Sequence, residues 1–429
     1  MKLGFYFKAH HLKEWSWKEF QDGDLALSGT DTLALFLPLH LSGLGHDVKF
    51  YSSKLGGTIE RLYQVQVKNL SEAVECAKAA KVDLLWFGNH GSDETIDGTI
   101  ACEKLGQPCI VSDGNGPYPE FADLFSRCQS VRRLVCVSAS QADNLRDHPV
   151  FKKTEFVFAN ALKPEYPSDP IDRDSMSVCY LGAVAKAKGF QYVAKAWANV
   201  KKASPRATLW VLGSGQLYNS HMSLGPLGIA DDTFERSEII PYLGATHDEA
   251  AKRGVHFLGL ASPQLVQSVL KRCSICIVNP GSFETFCVAA IEGSAAGAAV
   301  IGADLGGLRE TIIHNRTGLR IKSGNKLAPA IINLLRNPDQ ARALGAEGQR
   351  WAKATFSRDS WLNRWVAVFE SAFNDEPAMP PEFSWQRATA RVILMEGIRQ
   401  LNRLPFVKGS LPSLHQTKRF FNKQIKRQT

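Results

Sequence analysis

No stretch of this 429-residue chain approaches the ~20 uninterrupted apolar side chains of a membrane-spanning helix. The opening run MKLGFYFKAH is too short in apolar residues for a secretory leader and lacks a small-residue cleavage site, so a cytoplasmic chain is expected. Cys273 and Cys276 form a C-x-x-C, yet no second pair exists to complete a zinc site. The nine cysteines, an odd number spread from Cys76 to Cys287, fit reduced core thiols better than a disulfide framework. No aspartate pair stands in a metal-binding D-x-D context, and no metal cofactor is expected. Acidic residues are absent from 397–429, where eight basic side chains account for all but one of the net charge of +9. That excludes the broad basic face of a nucleic-acid-binding fold and assigns the basicity to a tail.

Hydrophobic residues at 44% and charged residues at 22% are those of an ordinary globular protein. The length exceeds one hydrophobic core and predicts two domains. Strand patterns alternate with helical ones from the start: LGFYF, HDVKFYS, VDLLWFG, PCIVSD and RLVCVSA are separated by segments of helical spacing such as Ser71 to Ala80. KPEYPSDPIDRDS then packs three prolines among polar residues, as a linker does. A second series follows, with strands at SVCYLG, ATLWVLGSG, VHFLG, SICIVNP and AAVIGAD. Alternation of this kind predicts an α/β protein of two doubly wound parallel sheets facing across a cleft, with the ligand at the carboxyl ends of the strands. The expected divisions are 1–165, a linker at 166–176, a second domain at 177–370, and a helical extension with the basic tail at 371–429. Residues 216–254 are too long for an ordinary connection and read either as a lid or acceptor loop or as a surface insertion.

PGSFETFCVAAIEGSAAG, Pro280 to Gly297, places Glu284 and Glu292 in an otherwise small or apolar segment. Carboxylates are rarely buried without a partner. The segment lies between two buried strand patterns and predicts a helix from about Thr285 to Ala296. Eight helical residues rotate a side chain by roughly 80° and advance it ~12 Å, so the two carboxylates cannot share one proton. Glu284 would stand at the helix mouth, Glu292 two turns deeper, and the free amides near Phe286, Cys287 and Val288 would suit a phosphate. A nucleotide sugar has that shape.

The same residues resemble retaining glycosyltransferase family 4, the group 1 glycosyl transferases of GT-B fold with two Rossmann-like domains. The family's P-S-x-x-E-x-F-G-x-x-x-L-E-A-x-A-x-G-x-P-V is matched at Pro280, Glu284, Phe286, Ile291, Glu292, Ala295, Gly297 and Val300, with Cys287 in the glycine position. GGLRETIIHNRTGLRI from Gly306 resembles the family's following G-G-x-x-E-x-I. SGTDTLALFLPLHLSGLGHDV resembles its first glycine loop and helix, and the resemblance covers roughly residues 1 to 370.

The resemblance implies transfer of a sugar from a nucleotide-sugar co-substrate to a hydroxyl acceptor, a glycan or lipid-linked glycan, in polysaccharide biosynthesis. Glu292 would take the ribose hydroxyls and Glu284 the transferred sugar. Lys188 would take the phosphates, with Lys186 making up for the family arginine that is Ala183 here. Gly29 and Thr30 would approach the diphosphate, His90 the sugar or acceptor, and Gly259 and Leu260 the base. A catalytically weak nucleotide-sugar-binding protein, or a sugar-nucleotide epimerase of the same fold, is the alternative. His10 and His11 have no nameable metal partner and read as acceptor contacts or plain surface. The tail SLHQTKRFFNKQIKRQT reads as a peripheral helix on an anionic membrane or as a disordered solubilising segment.

Overall fold

The computed structural model describes residues 1–429 except 10–11, 13, 26, 28, 117–118, 160–172, 218–220, 405–406, 408–410, 415 and 418–429. His10, His11, most of the linker and most of the basic tail therefore lie outside the described residues.

The chain forms two compact units. The first holds seven parallel strands, β1 (Lys2–Phe7), β2 (Asp47–Ser52), β3 (Tyr63–Gln66), β4 (Leu84–Asn89), β5 (Cys109–Asp113), β6 (Val131–Cys136) and β7 (Thr154–Phe156), in the order β3-β2-β1-β4-β5-β6-β7. The second holds six, β8 (Asp174–Leu181), β9 (Thr208–Leu212), β10 (Val255–Gly259), β11 (Cys273–Ile277), β12 (Ala299–Ala303) and β13 (Gly318–Ile321), in the order β10-β9-β8-β11-β12-β13. In each, the chain winds outward from a central strand first one way and then the other, which is the doubly wound Rossmann-like pattern. The β1 register (Leu3 opposite Val48 and Leu84) and the full burial of Phe5, Phe50 and Leu85 explain the near-continuous apolar runs. A parallel strand covered on both faces has no solvent side.

Where the sequence places a boundary at 370, the chain returns to the first unit at Trp361. Trp361 donates its indole N–H to the carbonyl of Phe158 at 3.0 Å. Further along the same helix (Arg358–Phe373), the Trp365 ring meets Trp86 and the Phe369 ring meets Phe5. Residues 173–176, read as linker, belong to the second unit, since β8 begins at Asp174 and Arg173 donates to the carbonyls of Leu270 and Cys273, both at 2.7 Å. The described part of 216–254 is neither lid nor surface insertion. Leu227, Ile229, Ala230, Ile239 and Leu243 enter the core of the second unit. The buried carboxylate of Glu235 accepts the amides of Leu227, Ile229 and Ala230 at 2.6 to 2.7 Å. All nine cysteines are free thiols, and only Cys76 is not buried.

The C-terminal extension is locked to the first unit by ions. Arg146, wholly buried, reaches Asp143 at 2.6 Å, Glu396 at 3.0 Å and the carbonyl of Pro381 at 2.9 Å. Its guanidinium lies between the rings of Phe151 and Phe383, each 5.3 Å away. Burial pushes the Asp143 carboxyl up, opposed by Arg146 and Arg387. Arg146→Met should leave Asp143 with Arg387 and Glu396 with Arg399 as their remaining arginines, remove the buried cation that joins them, and lower stability by about 3 kcal/mol, read as a fall in urea midpoint. A change under ~1 kcal/mol would show that the cluster is solvated.

Candidate active site

Because the second sheet is parallel, the loops after β8, β11 and β12 leave it at one edge. Close backbone contacts bind them together. At Gly189, φ is +74°, and a Cβ there would come within 2.4 Å of the Gly281 nitrogen. Gly306, with φ +45°, has the carbonyl of Glu284 2.1 Å from where its Cβ would be. Only glycine permits either approach. The amide of Gly307 donates to that same carbonyl at 3.1 Å. The GG of GGLRE is thus the backrest of the Glu284 loop.

The side chain of Glu284 is fully engaged. One oxygen accepts Lys188 Nζ at 2.9 Å and Asn279 Nδ2 at 2.6 Å. The other accepts the amides of Thr285 at 3.1 Å and Phe286 at 3.4 Å. A carboxylate offers about four lone-pair directions, and these contacts fill them. This changes the helix. It runs from Val288 to Ala295, three residues later than the sequence pattern suggests, since the Glu284 carboxylate takes the first amides and Cys287 adopts a left-handed φ of +77°. The intrahelical geometry assumed for the two glutamates therefore does not hold. The amides lacking an intrahelical acceptor begin at the Cys287–Val288 step and not at Phe286.

Glu292 is the opposite case. It has no hydrogen-bond or ion-pair partner among the described residues; the side chain is half-buried, and loss of hydration raises its pKa to about 7. Between the two carboxylates lies the buried Cys287 thiol, raised by burial first and by the charge of Glu284 next, with Lys188 opposing and Glu292 adding to the rise. Phe286 contributes only its backbone, since its ring is buried edge-on against Phe356.

The remaining residues scatter more. Ala183 is buried, and its carbonyl accepts the Tyr180 hydroxyl at 2.9 Å. Lys186 is exposed and adds only a minor part to the lowering of the Glu238 carboxyl, which comes first from its hydrogen bond to Lys195. Gly259 ends β10 with φ +65° in open space and accepts the Gly213 amide at 2.8 Å; Leu260 beside it is exposed. Gly29, which groups with the second unit, opens the helix Gly29–Gly43, and Thr30, where that helix joins the first unit, lies against Gly114. His90 is exposed just past β4. Its loop is tied down by Asn89, which donates to buried Asp113 at 3.0 Å, an acid raised by burial to about 6 despite the donors around it.

Asn279, with φ +32°, is a member of the candidate site that sequence reasoning missed. Its amide orients Glu284, and its oxygen accepts the Gly281 amide at 3.1 Å. An asparagine between a strand and Pro-Gly is the signal that marks it.

Residues 165–351 match the family model of glycosyl transferases group 1. GDP-mannose-dependent alpha-(1-6)-phosphatidylinositol monomannoside mannosyltransferase of Mycobacterium tuberculosis is 42% identical over 72 residues, 16% of this chain and 19% of that protein. The chain spans less than half the length of the curated relatives it matches. Sucrose-phosphate synthase from Thermosynechococcus elongatus shares the fold at TM-score 0.66 and 18% identity, over 87% of this chain and all of that one. Anabaena Alr3699/HepE, solved with UDP-glucose, does so at TM-score 0.60 and 14% identity, over 86% of this chain and 100% of its own. The fold read from the sequence is therefore GT-B, and the group 1 resemblance holds for the second unit.

The raised pKa of Glu292 has a defined sign. Unfolded, the acid titrates near 4.5; folded, near 7, so between these values the native state holds a proton the unfolded state has released. Stability falls as pH rises through that window. Glu292→Gln should leave stability unchanged at pH 4 and raise it by about 3 kcal/mol at pH 8, measured by urea unfolding at both. Equal effects at the two pH values would contradict the assignment.

Proposed function

We propose, from the match of residues 165–351 to glycosyl transferases group 1, that this chain moves a sugar with retention from a nucleotide-sugar donor to a hydroxyl of a glycan or lipid-linked glycan in the cytoplasm. The observation that carries the reading is the carboxylate of Glu292, without a partner among the described residues, on the helix that follows β11. A vicinal diol supplies two donors, one for each carboxylate oxygen, and ribose is such a diol. Hydroxyl donors favour the ionised acid, so the ligand also removes the cost of charging Glu292.

Lys188 would meet the diphosphate. Its ammonium is at present shared with Glu284. As negative charge grows on the leaving diphosphate, Lys188 turns to the phosphate and frees one lone-pair direction on the Glu284 oxygen that Asn279 still holds, for a hydroxyl of the transferred sugar. The helix amides from Val288 onward add to the stabilisation. Glu284 stays in place through Asn279 and its own loop amides. The second cation that the family pattern supplies is missing at Ala183, which is the one observation favouring a weak donor-binding protein or an epimerase over a transferase.

Purified protein tested with UDP-, GDP- and ADP-sugars by thermal shift and nucleotide release separates these readings. Glu292→Ala should abolish the ligand-induced shift. Lys188→Ala and Glu284→Ala should retain it and lower turnover roughly 10²–10³-fold, the scale of losing one preorganised charge contact. Turnover should survive EDTA, because the reading uses no metal. Binding without release under any acceptor favours the weak binder, and donor interconversion without acceptor favours the epimerase. Unaltered activity in both glutamate variants would contradict the site.

A further inference from the structure

The helix Ala390–Leu401 is apolar on two opposite faces. Val392 and Met395 are buried against the first unit, and Glu396 is drawn inward to Arg146 and Arg399. At about 100° per residue, the direction opposite Val392 and Met395 is taken by Ala390, Ile393, Leu394, Gly397 and Leu401. Ile393 is 42%, Leu394 55% and Leu401 48% exposed, and Leu404 just beyond is 40% exposed. No charged residue interrupts this outward stripe. A helix docked on a globular unit ordinarily turns a polar face to water.

The charges flank the stripe and have one sign. Arg391 and Arg403 are exposed beside it. Across residues 387–429 there are ten basic side chains and one acidic, and that one, Glu396, already meets two arginines. An apolar stripe bordered by cations complements an anionic lipid surface, where leucines enter the acyl boundary and arginines meet phosphates. A second copy of the chain would bring the same cations against each other.

We propose that the outward face of helix Ala390–Leu401 docks the first unit on an anionic phospholipid bilayer. No helix among the described residues is long and apolar enough to cross a membrane, so the contact lies in the interface plane. The proposal does not depend on the activity above, and its test needs no donor or acceptor.

The full chain is sedimented with vesicles of phosphatidylcholine alone and of phosphatidylcholine mixed with phosphatidylglycerol. Binding is expected to the mixed vesicles only, and to weaken with added salt. Leu394→Ser with Leu401→Ser should lower the partition coefficient roughly tenfold or more, and Arg391→Glu with Arg403→Glu should lower it at low salt. Circular dichroism and urea midpoint, expected to be unchanged for these outward positions, confirm the fold. Failure of the wild type to bind anionic vesicles overturns the proposal. So does a leucine variant that binds like wild type, which would assign any attachment to the basic tail. Light scattering that shows a dimer lost in the leucine variant places a second copy on the stripe and overturns it as well.

Discussion

Two carboxylates on one short segment are treated in opposite ways, and the site depends on that difference. Glu284 has its lone-pair directions filled by Lys188, Asn279 and two amides. Glu292, eight residues on, has no partner among the described residues and is driven toward its neutral form by loss of hydration. A buried charge without compensation is expensive, and proteins ordinarily remove it or pair it. Glu292, half-buried beside its satisfied twin, is the position where the proposed donor would complete the structure.

The rest of the second unit keeps that contrast intact. Glycines at 189 and 306 let three loops approach closer than any side chain would allow, so Lys188 and Glu284 arrive from different strands already in contact. Cys287 sits where the family pattern has glycine and holds a left-handed backbone that an L side chain adopts only at a cost of about 1–2 kcal/mol. That strain is placed at the step where the helix begins, between the two carboxylates. The fully satisfied Glu284 and the strained Cys287 together fix where the first helical amides can point.

Much of this is legible in the sequence. Ten of the strands announce themselves as apolar runs, and the helix at Leu70–Ala79 falls within one residue of its pattern. The strands that escape, Tyr63–Gln66, Thr154–Phe156 and Gly318–Ile321, are three or four residues long and too short to show a period. The start of the site helix was misplaced because periodicity cannot register a side chain that folds back on its own amides, as Glu284 does. The segment 216–254 looked like an insertion because its apolar residues are spread thinly; Glu235 gathers them by capping three amides at once. Return of the chain to the first unit at Trp361 rests on contacts with residues more than two hundred positions earlier, which no local pattern carries.

The central claim is that Glu292 waits about half neutral at pH 7 for hydroxyl donors that ionise it. Calorimetric titration of the best-bound nucleotide sugar at pH 7, in buffers of differing ionisation enthalpy, counts the protons exchanged on binding. The account predicts release of up to about half a proton from the wild type and none from Glu292→Gln. Donor binding by the wild type with no proton released, or with the same release from the variant, would contradict it.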